Sequence, residues 1–194
     1  MANKSTFLYG IDEDKVSNLL SDTDENSKYF TRITNQIVDS YTSDLSEIMD
    51  QLYGIINGSA DMTDQTIEEY MLKLANTIYY VGDRLEIVGI KADVAKAAKQ
   101  EIYNEAYLNN QVKDSDKRNK TTVAENVATA EAASQYESVI QAIYERTYKI
   151  IKFKIDAAQE MLSTLKKICS RRMQELVLSS YNIRGNSQLI KNEE

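Results

Sequence analysis

Proline, histidine and tryptophan are all missing from this 194-residue chain. At average usage about ten prolines would be expected. Sheet-rich and loop-rich folds lean on Pro and Gly to turn the chain, yet glycine occurs only six times. With few breakers and many Ala, Glu, Lys, Gln, Leu and Ile, the composition favours long uninterrupted helices. The lack of histidine takes away the commonest general base, the Ser-His and Cys-His nucleophile systems and the commonest zinc ligand. The single cysteine, Cys169, excludes an internal disulfide, cannot complete a zinc site and suits a reducing, cytoplasmic setting. No apolar run reaches the length of a membrane span. Met1–Gly10 is too polar and too poor in cations for a secretory signal.

No glycine-rich phosphate loop is present. Asp22-x-Asp24-x-Asn26 resembles the start of a calcium loop, but Ser27 stands where glycine is needed, and Ile33 replaces the closing glutamate. Glu68 and Glu69 read as a solvated face rather than an acid–base pair. Neither a cofactor, a metal nor an enzymatic activity is expected.

Charge is present but unevenly spread. Residues 1–60 hold 10 acids and 4 bases, residues 61–110 hold 9 and 5, and residues 111–194 hold 11 and 14. An acidic front half thus precedes a basic end, within a net charge of -7.

The pattern of apolar residues predicts an all-α fold. Residues 1–30 read as a weakly ordered acidic arm, with a loop at 21–27. A first helix is expected over 31–57, with Val38, Tyr41, Leu45, Ile48, Leu52 and Ile55 at steps of three and four. A second is expected over 62–110, capped by Asp61 or Thr63 and carrying Met71, Leu74, Ile78, Val81, Leu85, Val88, Ala92 and Ala95. Gly82 and Gly89 lie one heptad apart in it and suggest a close helix–helix approach. Asn109–Thr122 is the strong interior breaker. A third helix is expected over 122–180, with Tyr148, Ile151, Ile155, Ala158, Leu162, Leu165, Cys169 and Leu176 on its seam, followed by a tail at 183–194. At about 1.5 Å per residue the two long helices span roughly 70 and 85 Å. Helices of that length need partners, so they should pair as a long antiparallel hairpin, coiled-coil-like, with the first helix along its base and residues 31–182 forming one domain. Leu85, Val88, Ile151, Ile155, Leu162 and Leu165 are the expected interface. A hairpin and one helix leave apolar surface uncovered, which predicts a homo-oligomer.

The densest basic stretch is Arg146, Lys149, Lys152, Lys154, Lys166, Lys167, Arg171 and Arg172. Arg146, Lys149, Lys167 and Arg171 fall within a sector of about 60°, with Tyr144, Tyr148 and Phe153 interleaved. Such a stripe can carry single-stranded nucleic acid by salt-sensitive phosphate contacts and stacking. It can equally be a wet helix face paired with acids, for which Asp39, Asp44, Glu47 and Asp50 are the obvious partners.

Ile151-Lys-Phe-Lys-Ile-Asp156, then Glu160-Met-Leu and Ile168-Cys-Ser-Arg-Arg-Met173, resembles the C-terminal helix of phage recombination mediators of the UvsY type. The layout of residues 70–178 is similar as well. The interval from Asp156 to Arg171 is about one turn longer than in the family, and the acidic segment before residue 60 has no counterpart there. The resemblance implies a ring-forming oligomer in the host cytoplasm that binds single-stranded DNA and docks a recombinase or another phage or host protein. Lys152, Lys154, Ser170, Arg171 and Arg172 would then touch DNA or a partner. The alternative is a structural or adaptor coiled coil, such as a virion or scaffold component or an inhibitor of a host defence protein. A DNA-mimicking role for the acidic front half also stays open.

Overall fold

The computed structural model describes residues 13–57, 63–114 and 122–191, with side chains at all of these except 13–16, 19, 26, 111–114 and 182–191. Every described element is an α-helix: α1 (Glu13–Asn57), α2 (Asp64–Asp114), α3 (Val123–Ala133) and α4 (Gln135–Lys191). The fold is the expected all-α hairpin with an added N-terminal helix. None of the described helices is long and apolar enough to cross a membrane.

Helix starts follow local chemistry. Thr63 precedes α2, and its hydroxyl accepts from the Thr66 backbone N–H at 3.2 Å. Thr122 caps α3 through a capping box: its hydroxyl accepts from the Glu125 N–H, and the Glu125 carboxylate accepts from the Thr122 N–H at 2.8 Å. The expected single helix from Val123 is in fact two, broken at Ser134. The Ser134 hydroxyl is buried and donates back to the Ala130 carbonyl at 3.0 Å. The Ser134 backbone, at φ -95° and ψ 14°, leaves the helical geometry for this one residue.

Other boundaries differ from expectation as well. The loop expected at 21–27 lies inside α1, which begins at Glu13. α2 continues through the first part of the expected breaker to Asp114, and α4 runs past Ser180 into the expected tail, to Lys191. Residues 1–12 of the expected arm, the Asp61 cap, residues 115–121 of the breaker and residues 192–194 lie outside the described residues.

Cross-helix contacts establish the directions. Arg172 on α4 meets Asp64 at the start of α2, while Tyr148 lies against Gly89 further along, so α2 and α4 are antiparallel. Tyr70 reaches Gln51 and Lys91 reaches Tyr41, so α1 is antiparallel to α2. α1 therefore runs parallel to α4, and Lys154 bonds Thr42 and Ser46 across that contact. The α2–α4 contact is the most extensive.

The core repeats every seven residues. Ile67, Leu74, Val81, Val88 and Ala95 are buried on α2, Ile151, Ala158 and Leu165 on α4, and Val38, Leu45 and Leu52 on α1. A sustained seven-residue period on helices of 3.6 residues per turn favours a left-handed supercoil. Of the expected interface residues, Leu85, Val88, Ile151, Ile155 and Leu165 are buried, and Leu162 is half-buried against them. Cys169 is half-buried in the same cluster. Buried Thr42 and Thr147 sit within this seam because each hydroxyl donates to the carbonyl four residues back, at 2.9 and 2.8 Å.

Two expectations about the seam fail. Leu176 is 62% exposed, because α4 has passed Asp64, the start of α2, and has no described helix opposite it. Gly82 makes no close approach, since a Cβ there would meet nothing within 4 Å, whereas one at Gly89 would lie 3.4 Å from the Tyr148 ring. Gly82→Ala is therefore expected to stabilise the protein by about 0.5–1 kcal/mol, the ordinary Gly–Ala difference in a helix. Gly89→Ala should gain less, because the ring must yield slightly. Chemical denaturation of the two variants beside the parent checks both.

Candidate functional site

The eight basic residues of α4 do not act as one stripe. Lys154 is turned inward, with Nζ 3.0 Å from both the Thr42 and the Ser46 hydroxyls. It ties α4 to α1, and two of the three N–H donors of its ammonium are used there. Arg172 Nη1 lies 2.8 Å from Asp64 Oδ1 and closes the open end of the hairpin. Arg171 leans along its own helix toward Glu175 at 3.5 Å, in an exposed pair of small energetic weight. Arg146, Lys149, Lys152, Lys166 and Lys167 are exposed.

These five form two clusters. Arg146, Lys149 and Lys152 are one, Lys166 and Lys167 the other, separated by roughly 20–25 Å along the axis. Between them, on the same outer face, stand the exposed carboxylates of Asp156 and Glu160. A polyanion laid along α4 would meet negative charge midway. Of the three interleaved aromatics only Phe153 is free, at 73% exposed. Tyr144 and Tyr148 pack against the core, and the expectation that they could stack bases fails for that reason. What survives is a shallow surface groove lined by Arg146, Lys149 and Phe153, among others.

The α1 acids do not neutralise this face. Asp44 pairs instead with Arg84 of α2 at 3.6 Å, and the same guanidinium donates to the Tyr41 carbonyl at 3.2 Å. Asp39, Glu47 and Asp50 face solvent. Beside Arg84, Lys91 donates to the Tyr41 hydroxyl at 3.0 Å and lies over the Tyr41 and Tyr144 rings. That hydrogen bond, chiefly, holds the ammonium above the usual lysine range.

A second surface escaped the sequence reading. On α2, Tyr80, Ile87 and Val94 share one seven-residue column and are 55, 48 and 63% exposed, and beyond Glu101 the column ends on Leu108, 57% exposed. Ile90, on the next column, is 61% exposed. Beside Val94 the column borders an apolar groove between α2 and α4, lined by Ile90, Ala98, Glu137, Ile140 and Tyr144 among others. The signal was legible: each core residue Val81, Val88 and Ala95 is preceded directly by another apolar residue. One helix face cannot bury both columns against the same neighbour, so a doubled heptad marks a second contact. Compared with known proteins, the chain matches no family model, no curated protein and no solved structure.

Proposed function

We propose that this protein is a non-enzymatic structural module, which works by assembling through the faces of its long helices. The observation that carries this reading is the exposed apolar column of α2. Tyr80, Ile87, Ile90 and Val94 together make a contiguous exposed apolar patch on a water-facing helix, which is a contact surface rather than ordinary surface scatter. The side-chain chemistry supports it. The chain has no histidine, its one thiol is half-buried against the core, and the grooves are open to solvent. Sedimentation velocity over a concentration series tests it. Mass above the protomer that persists at high salt is the expected result, because burial of apolar surface is not screened. A protomer at every concentration would overturn it.

Single-stranded DNA binding by a phage-type recombination accessory protein is the second reading, favoured by the solvent-facing Arg146, Lys149 and Phe153. It also rests on the likeness of 151–173 to the mediators named above. The two clusters on α4 would provide few phosphate contacts, so binding would be weak and salt-sensitive. Lys149→Glu, Lys167→Glu and Arg171→Glu combined should leave helicity and melting temperature unchanged, since all three side chains are solvated. Any oligonucleotide binding seen by fluorescence anisotropy at low salt should vanish with them. Loss of fold in the triple variant would show these cations to be structural.

A further inference from the structure

We propose that the exposed column of α2 is the interface of a twofold dimer, in which α2 of one protomer packs antiparallel against α2 of a second copy with Ile87 on the axis. This inference rests on the assembly reading above and names its partner.

The column is self-complementary about Ile87. Tyr80 and Val94 lie seven residues to either side of it, and Lys73 and Glu101 fourteen. A twofold axis perpendicular to the helix pairs a residue a given distance before Ile87 with the one the same distance after it on the partner. Ile87 then meets its own copy, Tyr80 meets the partner's Val94, and Lys73 meets the partner's Glu101. Both ends of the contact thus place opposite charges together, twice by symmetry. A parallel arrangement would set Lys73 on Lys73 and Glu101 on Glu101, which is unfavourable. The charge order therefore selects the antiparallel one. Lys73 is available for this, because its present 2.7 Å pair with Glu69 is an exposed contact within one helix turn, and such pairs are weak.

Shape agrees with charge. Beside Val94 lies the groove bounded by Ile90, Ala98 and Ile140, and the arrangement brings the partner's Tyr80 side chain over it. Tyr80 is more than half exposed in the protomer and would enter as a knob into that hole. One contact thus covers Tyr80, Ile87 and Val94 and fills the groove.

The test uses the full chain in a Cys169→Ser background. Sedimentation velocity should give twice the protomer mass. Ile87→Asp should weaken the dimer on the order of 100-fold or more, because it sets two carboxylates against each other on the axis. Its circular dichroism should match the parent, since Ile87 is half-exposed in the protomer. Lys73→Glu and Glu101→Lys should each weaken the dimer, and the double exchange should restore it. Independently of stability, Ile87→Cys should form an intermolecular disulfide under mild oxidation. Leu108→Cys should not, because its two copies would lie roughly 60 Å apart. A wild-type oligomer that survives Ile87→Asp and gives no disulfide through Ile87→Cys would overturn this interface and leave assembly standing through another face. A wild-type protomer at every concentration would overturn both.

Discussion

Ile151→Asp is expected to unfold the bundle, with cooperative loss of helicity at temperatures where the parent is fully folded. Ile151 is completely buried at the centre of the α4 seam, within the cluster that includes Val88, Leu45 and Ile155. No cation in that cluster can reach a carboxylate placed there. Lys154, the basic residue about one helical turn further along α4, is already bonded to two hydroxyls of α1. The substitution removes apolar contact worth about 2–5 kcal/mol even as a simple truncation and adds the cost of an unpaired buried charge. The sum is comparable with the whole stability of a domain, about 5–15 kcal/mol. Far-ultraviolet circular dichroism against temperature reads it directly. A melting temperature equal to the parent's would refute the placement of α4 in the core.

Leu165→Ala should cost about 2–5 kcal/mol, whereas Leu176→Ala should change stability by no more than about 0.5 kcal/mol. Both residues lie on the apolar seam when α4 is read as a helix. Only Leu165, at 1% exposed, is enclosed, while Leu176 is 62% exposed. In a protein of this size a change of 1 kcal/mol moves the melting temperature by roughly 2–4 °C, so the two variants should separate clearly. Equal effects would mean that a partner covers the end of α4. Exposed Met173, Val177, Leu178 and Tyr181 in the same stretch would then belong to that contact.

The sequence alone determined the class of fold. Without proline, with a three-four alternation of apolar residues over three long stretches and one polar breaker, no sheet is available and the long helices must pair. The Thr63 cap, offered beside Asp61, the reversal of the chain between the two long helices and most of the seam follow from that logic. Local chemistry is enough for these features, because each depends on residues within a turn or two of one another.

Only the tertiary structure decided which side chains are free. Lys154 and Lys149 are equivalent in a linear reading. The first is held by Thr42 and Ser46, more than 100 residues away, and the second faces solvent. Arg172 and Arg171 differ for the same reason, Asp64 being within reach of one alone. Tyr148 was a seam residue and a candidate stacking platform at once, until Gly89 placed its ring inside. α1 could begin at Glu13 or at Thr31 on propensity, and Ser134 could break or continue a helix. The exposed column on α2 was written in the doubled apolar positions, but its meaning depended on where α1 and α4 lie. Helical periodicity fixes which residues share a face; only the neighbours bound to the other faces leave that one open.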